Sequence, residues 1–266
     1  MRLTVDHATT YTYERPAAYA LQQVRMRPHN LLSQSVLSWD LTIEGARRET
    51  SYADHNGNLV DLISLEPAAD KVSIICRGEV ETNDTSGVSG GHRQLTPLWL
   101  YKRTTELTAP GKEIRALAGK LGRPNPADLS AMHDLMGSIA DAVTYEKDRT
   151  NAATTAEEAL QLGHGVCQDH AHIFIAAARH LGFPARYVSG YLMMLDRIDQ
   201  EAGHAWAEVW VDGLGWTGFD VSNGICPDTR YIHVATGLDY NDAAPVRGLL
   251  YGAERENLVV SIQVQQ

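Results

Sequence analysis

The sequence predicts an α+β fold: an N-terminal β-sandwich, then a core in which a helix packs on an antiparallel sheet. Short strand-like runs with turn punctuation fill the first ~90 residues. Helical spacing of apolar residues takes over from Gly111. From Cys167 a helical stretch gives way to a series of strand-like runs, the order expected of a helix laid against a sheet. At 266 residues the chain can build two units with cores of their own. The sandwich is expected over residues 1–95, and the core, with a C-terminal strand, over 96–266.

The elements follow in order. Leu3 and Val5, then Tyr11-Thr12-Tyr13, suit a pleated surface, as do Val24 to Pro28 and Val36 to Ile43. Asn56-Gly57 is a tight-turn signal before Leu59 to Ile63, and Val72 to Cys76 with Glu79 to Thr82 closes the series. The small polar stretch Thr85 to Gly91 reads as a mobile loop or connection. Gly111 to Leu121 reads as a helix stopped by Gly122 and Pro124. Between Asp128 and Val143, apolar residues three and four apart mark a helical face. Thr155 to Leu160 reads as a short capped helix. After Cys167, the residues Ala171, Phe174, Ile175, Ala178 and Leu181 share one helical face that ends at Gly182 and Pro184. Ala185 to Leu192, Ala205 to Val211, Trp216 to Asp220 and Leu258 to Val264 read as strands.

Composition excludes several functions. A net charge of -10 argues against a nucleic-acid partner, which needs a basic footprint. No apolar run approaches the ~20 residues that span a bilayer. Met1 to His7 alternates like a strand and lacks the apolar centre of a signal peptide. A cytoplasmic protein without membrane association is the expectation. Three cysteines, Cys76, Cys167 and Cys226, form neither a disulfide framework nor a zinc-ligand spacing. Cys76 sits in an apolar run and is expected to be a buried strand thiol, and Cys226 precedes Pro227 in a loop.

One constellation carries chemistry. Cys167 stands at the start of a helical pattern, where the positive end of the helix dipole favours thiolate over thiol. His204 opens one strand-like run, and Asp220 ends the next, sixteen residues on. Antiparallel pairing of those runs would bring the two side chains together beside the helix N-terminus. Asp220 would then fix the imidazole tautomer, and His204 would activate Cys167 and protonate the leaving amine. The Cys167 backbone N–H is a natural oxyanion donor. Gln161, six residues upstream, and Tyr145 are the candidates for the second donor, and Trp206 is the candidate for a wall of the substrate cleft.

Those motifs, Gly165-Val166-Cys167-Gln168-Asp169, Gly203-His204-Ala205-Trp206 and Gly215 to Asp220, resemble the bacterial transglutaminase-like superfamily. The resemblance implies a papain-like core with a Cys-His-Asp triad. The first ~85 residues resemble the β-strand domain that precedes this core in one bacterial branch, through Leu3 to His7, Tyr11 to Tyr13, Arg25 to Pro28 and Asn56 to Asn58. Two departures stand out. Val221-Ser222-Asn223 follows Asp220 where many relatives have Pro-Thr-Asn, and Leu238 stands where an Arg is common.

The leading expectation is a cysteine hydrolase of peptide or amide bonds, acting on a peptide or protein through a thioester. A protein-glutamine transglutaminase, with an amine in place of water, shares every step up to the acyl-enzyme. A catalytically silent binding or scaffold protein is the third reading. The β-rich N-terminal part is a candidate surface for a partner or a homo-oligomer contact. His164, Asp169, His170 and His172 invite a metal reading, but positions 170 and 172 of a helix point to different faces, so no metal is expected. Asp169 suits a helix N-terminus on charge alone. No Gly-rich phosphate loop follows a strand and no calcium loop occurs, so no cofactor is expected.

Overall fold

Alternation builds the first strand. β1 (Arg2–Tyr13) buries every second residue from Leu3 to Tyr13. The sequence reading splits this stretch because His7 and Thr9 interrupt the apolar pattern. In the computed structural model both are buried, with His7 Nδ1 2.8 Å from the Tyr191 hydroxyl and Nε2 2.9 Å from that of Thr9. The structure describes residues 1–266 except 15–18, 68, 92–95 and 253–255.

β2 (Tyr19–Arg27), β3 (Gln34–Glu44), β4 (Ala46–Ala53), β5 (Leu59–Leu65) and β6 (Lys71–Thr82) complete the N-terminal strands. β6 lies between β1 and β3 in one sheet, and β5 lies between β2 and β4 in another. Tyr11, Val24, Met26, Ile63, Ile74 and Cys76 fill the space between the sheets, which makes the sandwich. Cys76 is fully buried, as its apolar run implies, and burial pushes its thiol up to about 12. β4 escapes the sequence reading because Arg47, Arg48, Glu49 and Thr50 carry no apolar alternation. Backbone pairing to β5 places it, and its charges suit an edge strand.

The remaining elements are β7 (Val88–Gly90), α1 (Lys112–Gly119), α2 (Leu129–Ala142), β8 (Thr144–Tyr145), α3 (Ala156–Leu162), β9 (His164–Gly165) and α4 (Cys167–His180). Then come β10 (Ala185–Leu192), β11 (Asp199–Gln200), β12 (His204–Val211), β13 (Gly215–Phe219), β14 (Tyr231–Gly237), α5 (Tyr240–Ala243), β15 (Val246–Tyr251) and β16 (Glu256–Gln265). The core sheet runs β14-β10-β12-β13-β7. α4 lies against β10 and β12, with α1, α2 and α3 packed around it, and every residue from Asp169 to Arg179 is buried. A helix so enclosed must be apolar on nearly all sides, which explains its run of alanines, Ile173, Phe174 and Ile175.

The stretch read as a mobile connection contains β7, which pairs with β13 through Val88 and Gly90. Small residues permit the approach: a Cβ on Gly87, at φ +80°, would sit 2.6 Å from the Cys226 Cβ. The chain also returns to its beginning. β15 pairs with β2, and β16 with β1, so the last strands belong to the sandwich sheets rather than to the core sheet. Pairing therefore crosses the expected boundary near residue 95 in both directions. The reason is local: Ile262 and Val264 alternate inward on β16 and join Leu3, Val5 and Val80 in an apolar cluster that continues into the helices. Among the described residues, no helix is long and apolar enough to cross a membrane.

Candidate active site

The start of α4 is under tight local control. Val166, in extended conformation, precedes Cys167, and its N–H donates to the Asp169 carboxylate at 2.7 Å. The Thr150 hydroxyl donates to the same oxygen at 2.6 Å. This accounts for the acid at the helix start: it caps an otherwise unpaired N–H where the dipole favours negative charge. Gly165 is needed there, because a Cβ would lie 2.7 Å from that of Asp169. β8 pairs with β9 in parallel, Tyr145 facing Gly165, and the Glu146 N–H donates to the Gly165 carbonyl at 2.9 Å. Cys167, the first helical residue, is half-buried.

The β12–β13 hairpin supplies the other groups. Its register pairs Ala207 with Phe219, which carries Asp220 to the side of the sheet where β12 begins. His204 Nε2 and Asp220 Oδ2 are 2.6 Å apart, with side chains 12% and 1% exposed. Asp220 Oδ2 also accepts from the Tyr231 hydroxyl and from Asn223 Nδ2, each at 2.7 Å, and Oδ1 accepts from the Asn223 N–H at 3.3 Å. Backbone bonds in both directions between Asp220 and Ile225 close the turn that holds the carboxylate.

The Cys167 thiol also acts on the imidazole. With Nε2 held by Asp220, Nδ1 is the ring nitrogen left for it. Burial would lower the His204 pKa, but the bonds to Asp220 and Cys167 outweigh it and raise it to about 10. Burial works against the Asp220 carboxylate too, yet His204, Asn223 and Tyr231 hold its pKa below the ordinary value. The arrangement therefore favours an imidazolium between a carboxylate and a thiol, the condition for a proton held in readiness for a leaving group.

Of the two candidates for the second oxyanion donor, Tyr145 is near enough to the thiol to feel its charge. It is 48% exposed and its ionisation is opposed first by burial and then by the charges of Cys167 and Asp220. Gln161 is exposed on α3, and its amide donates to the Glu157 carboxylate at 3.2 Å. It lines a surface depression with Asn151, Ala153, Thr154, Glu158 and Leu162, none of them a neighbour of His204 in the hairpin. Trp206 is only 2% exposed, with its ring stacked at 6.3 Å from that of His204 and edge-on to Tyr231 at 5.5 Å. It backs the imidazole and also lines a small recess with Ser89, Glu208, Tyr231 and His233.

Tyr231 and Asn223 are partners of Asp220 that sequence reasoning missed. Tyr231 lies on β14, a strand the sequence reading leaves out, and nothing in its spacing from Asp220 signals contact. Asn223 follows Asp220 by three residues, a distance at which a turn returns its side chain to the carboxylate.

The histidines of the metal reading have protein partners. His170 bonds Ser222 and Val143, His172 Nε2 accepts from the Tyr240 N–H at 3.1 Å, and His164 Nδ1 lies 2.7 Å from Glu146. Among the described residues, no group of three or more His, Cys, Asp or Glu could hold a metal ion.

Known proteins resemble this chain along its length. Residues 115–221 match the transglutaminase-like superfamily, and residues 3–81 match the bacterial transglutaminase-like N-terminal region. An uncharacterized protein of Mycobacterium tuberculosis (strain H37Rv) is 30% identical over 289 residues, covering 99% of this chain and 91% of that protein. An uncharacterized protein of Mycobacterium leprae is 28% identical over 283 residues, covering 99% and 98%. A crystal structure from Cytophaga hutchinsonii, named there as a candidate cysteine protease, has a TM-score of 0.77 at 22% identity over 100% of this chain and 91% of that one. At that identity the likeness establishes the fold.

Proposed function

Because the chain belongs to the transglutaminase-like superfamily, we propose that it is a cysteine hydrolase that cleaves peptide or amide bonds through a thioester acyl-enzyme. The observation that carries this reading is the 2.6 Å pairing of His204 with Asp220, with the Cys167 thiol acting on the same imidazole.

The chemistry follows from that run. The Cys167 sulfur attacks the carbonyl carbon, forming a C–S bond and moving the π electrons onto oxygen. The Cys167 N–H at the helix start donates to that oxyanion. Tyr145 serves as the second donor in preference to Gln161, since Gln161 is exposed on α3 and held by Glu157 while Tyr145 pairs with Gly165 at the foot of the nucleophile helix. As the oxyanion collapses the C–N bond breaks, and the amine leaves with the proton from His204. Water, losing its proton to the now neutral His204, attacks the thioester. The acid departs, the sulfur recovers its electron pair and the ion pair is restored. Asp220 stays ionised throughout and keeps the ring oriented.

The test is the rate of iodoacetamide alkylation against pH, read by peptide mass spectrometry, in wild type and His204→Ala. Cys76 and Cys226 are internal controls, since burial raises both of their pKa values. Fast alkylation of Cys167 well below pH 8.5, the ordinary thiol value, that vanishes in His204→Ala supports the pair. A Cys167 indifferent to His204 sinks the reading. A glutamine peptide offered together with a primary amine then separates the outcomes: a free carboxylate marks a hydrolase, and a new amide a transglutaminase.

A further inference from the structure

His170 lies one helical turn after Cys167 and is 3% exposed. Its Nε2 is 3.0 Å from the Val143 carbonyl, which can only accept, so Nε2 carries the proton. Burial pushes the ring below the ordinary histidine pKa, and the charges near it are those of Asp169 and Asp220. In the neutral ring Nδ1 must accept, so the Ser222 hydroxyl, 2.8 Å away, donates to it. One imidazole thus joins separate segments: α4, which carries Cys167; the residue before β8, which carries Tyr145; and the turn that follows Asp220. The Tyr145 ring lies 6.2 Å from that of His170.

Resting on the proposed Cys-His-Asp reading, we infer that His170 and Ser222 form a clamp that sets the Asp220 turn and the Tyr145 strand in register with the nucleophile helix. Both are positioning residues, for neither touches the reacting atoms. The bond from Ser222 fixes where the turn sits, and with it the carboxylate that holds the His204 cation. The bond to Val143 fixes where β8 leaves α2, and with it the hydroxyl offered to the oxyanion. A hydroxyl is what the His170 nitrogen requires, so a serine or a threonine at position 222 can serve and a residue lacking one cannot.

The experiment compares the pH profile of Cys167 alkylation in wild type, Ser222→Ala and Ser222→Thr, with thermal melts to check folding. In Ser222→Ala the loosened turn weakens the ion pair, and the acid limb of the profile moves up by about one pH unit, the scale on which a single hydrogen bond acts. Ser222→Thr, which keeps the hydroxyl, retains the wild-type limb. A Ser222→Ala profile that superimposes on wild type overturns the clamp, and so does a Thr variant shifted as far as Ala. His170→Phe keeps the ring and removes both bonds; combined with Ser222→Ala it should add nothing to the shift of His170→Phe alone. If His170→Phe fails to fold, the Ser222 pair still decides. A wild type with no low-pH alkylation removes the nucleophile itself, and the clamp with it, a result separate from a clamp that fails while Cys167 stays reactive.

Discussion

His204 Nε2 and Asp220 Oδ2 meet at 2.6 Å although their residues stand at the start of one strand and just past the end of the next. The pair makes stability depend on pH from both sides. His204 has a folded pKa of about 10 against 6.5, so its contribution is full below 6.5 and disappears as pH rises through about 10. Asp220 has a lowered folded pKa, so its contribution is present above 3.8 and lost as pH falls further. The destabilisation of Asp220→Asn relative to wild type should therefore peak between roughly pH 4 and 6.5 and shrink at either extreme. Melting temperatures across pH 3 to 10.5 check this, and a difference that grows toward pH 10 refutes it. On activity, Asp220→Asn should lose about 10³- to 10⁴-fold in kcat, the scale of a triad carboxylate.

Tyr231 donates to the same carboxylate oxygen as His204, at 2.7 Å. Tyr231→Phe keeps the ring against Trp206 and deletes one donor. The carboxylate, less well solvated, should titrate higher, and the loss of a bond to a buried charge should cost about 1.5–3 kcal/mol. Urea unfolding measures the second effect, and the acid limb of Cys167 alkylation the first. An unchanged limb would mean that Tyr231 packs without tuning the acid.

Legibility in the sequence followed local physics. β10 spans Ala185–Leu192, the stretch that its apolar run delimits, and α2 begins where the Asp128 carboxylate caps it by accepting from the Ala131 N–H. Where tertiary contacts decide, the sequence was silent. His7 is polar, yet Tyr191, far along the chain, gives it a partner and makes it a core residue of β1. β4 and β7 have no apolar pattern because their places come from backbone pairing with a neighbouring strand. Cys167, His204 and Asp220 were readable because each sits at an element's end, where the motif is short and local. Tyr231 reaches Asp220 from another strand, and Ser222 meets His170 across the fold, contacts that no spacing rule announces.

Arg179 closes the far end of α4. Buried beside Leu238, its guanidinium donates to the carbonyls of Tyr101, Ala185 and Leu238 and to the Thr108 hydroxyl, at 2.7 to 3.1 Å. Burial lowers its pKa to about 9, against the pull of Asp239 and Asp242. Arg179→Met would strip several buried acceptors of their donor at once and should cost about 3 kcal/mol or more. Arg179→Lys should recover only part, since an ammonium cannot reproduce the planar fork. Denaturant unfolding of both variants is the check; a loss below about 1 kcal/mol for Met would deny the guanidinium this role.

The last strand couples the sandwich to the site. β16 pairs with β1 from Tyr13–Glu256 to Thr4–Gln265, and on its other edge Ile262 and Gln263 pair with β11, just before His204. Gln263 also donates to the Asp199 carboxylate at 2.8 Å, which ties that loop to the sandwich a second time. Ile262 is 1% exposed in the cluster that also contains α4, so Ile262→Ala should cost about 2–5 kcal/mol. Because that cluster is continuous, the loss should not be confined to the sandwich. Unfolding followed by alkylation of Cys76, buried in the sandwich, and of Cys226, next to the Asp220–Ile225 turn and slowed by burial, should give coincident transitions, both displaced by the same amount. Two separated transitions, with only the sandwich signal displaced, would show that the site folds without the strand that borders it.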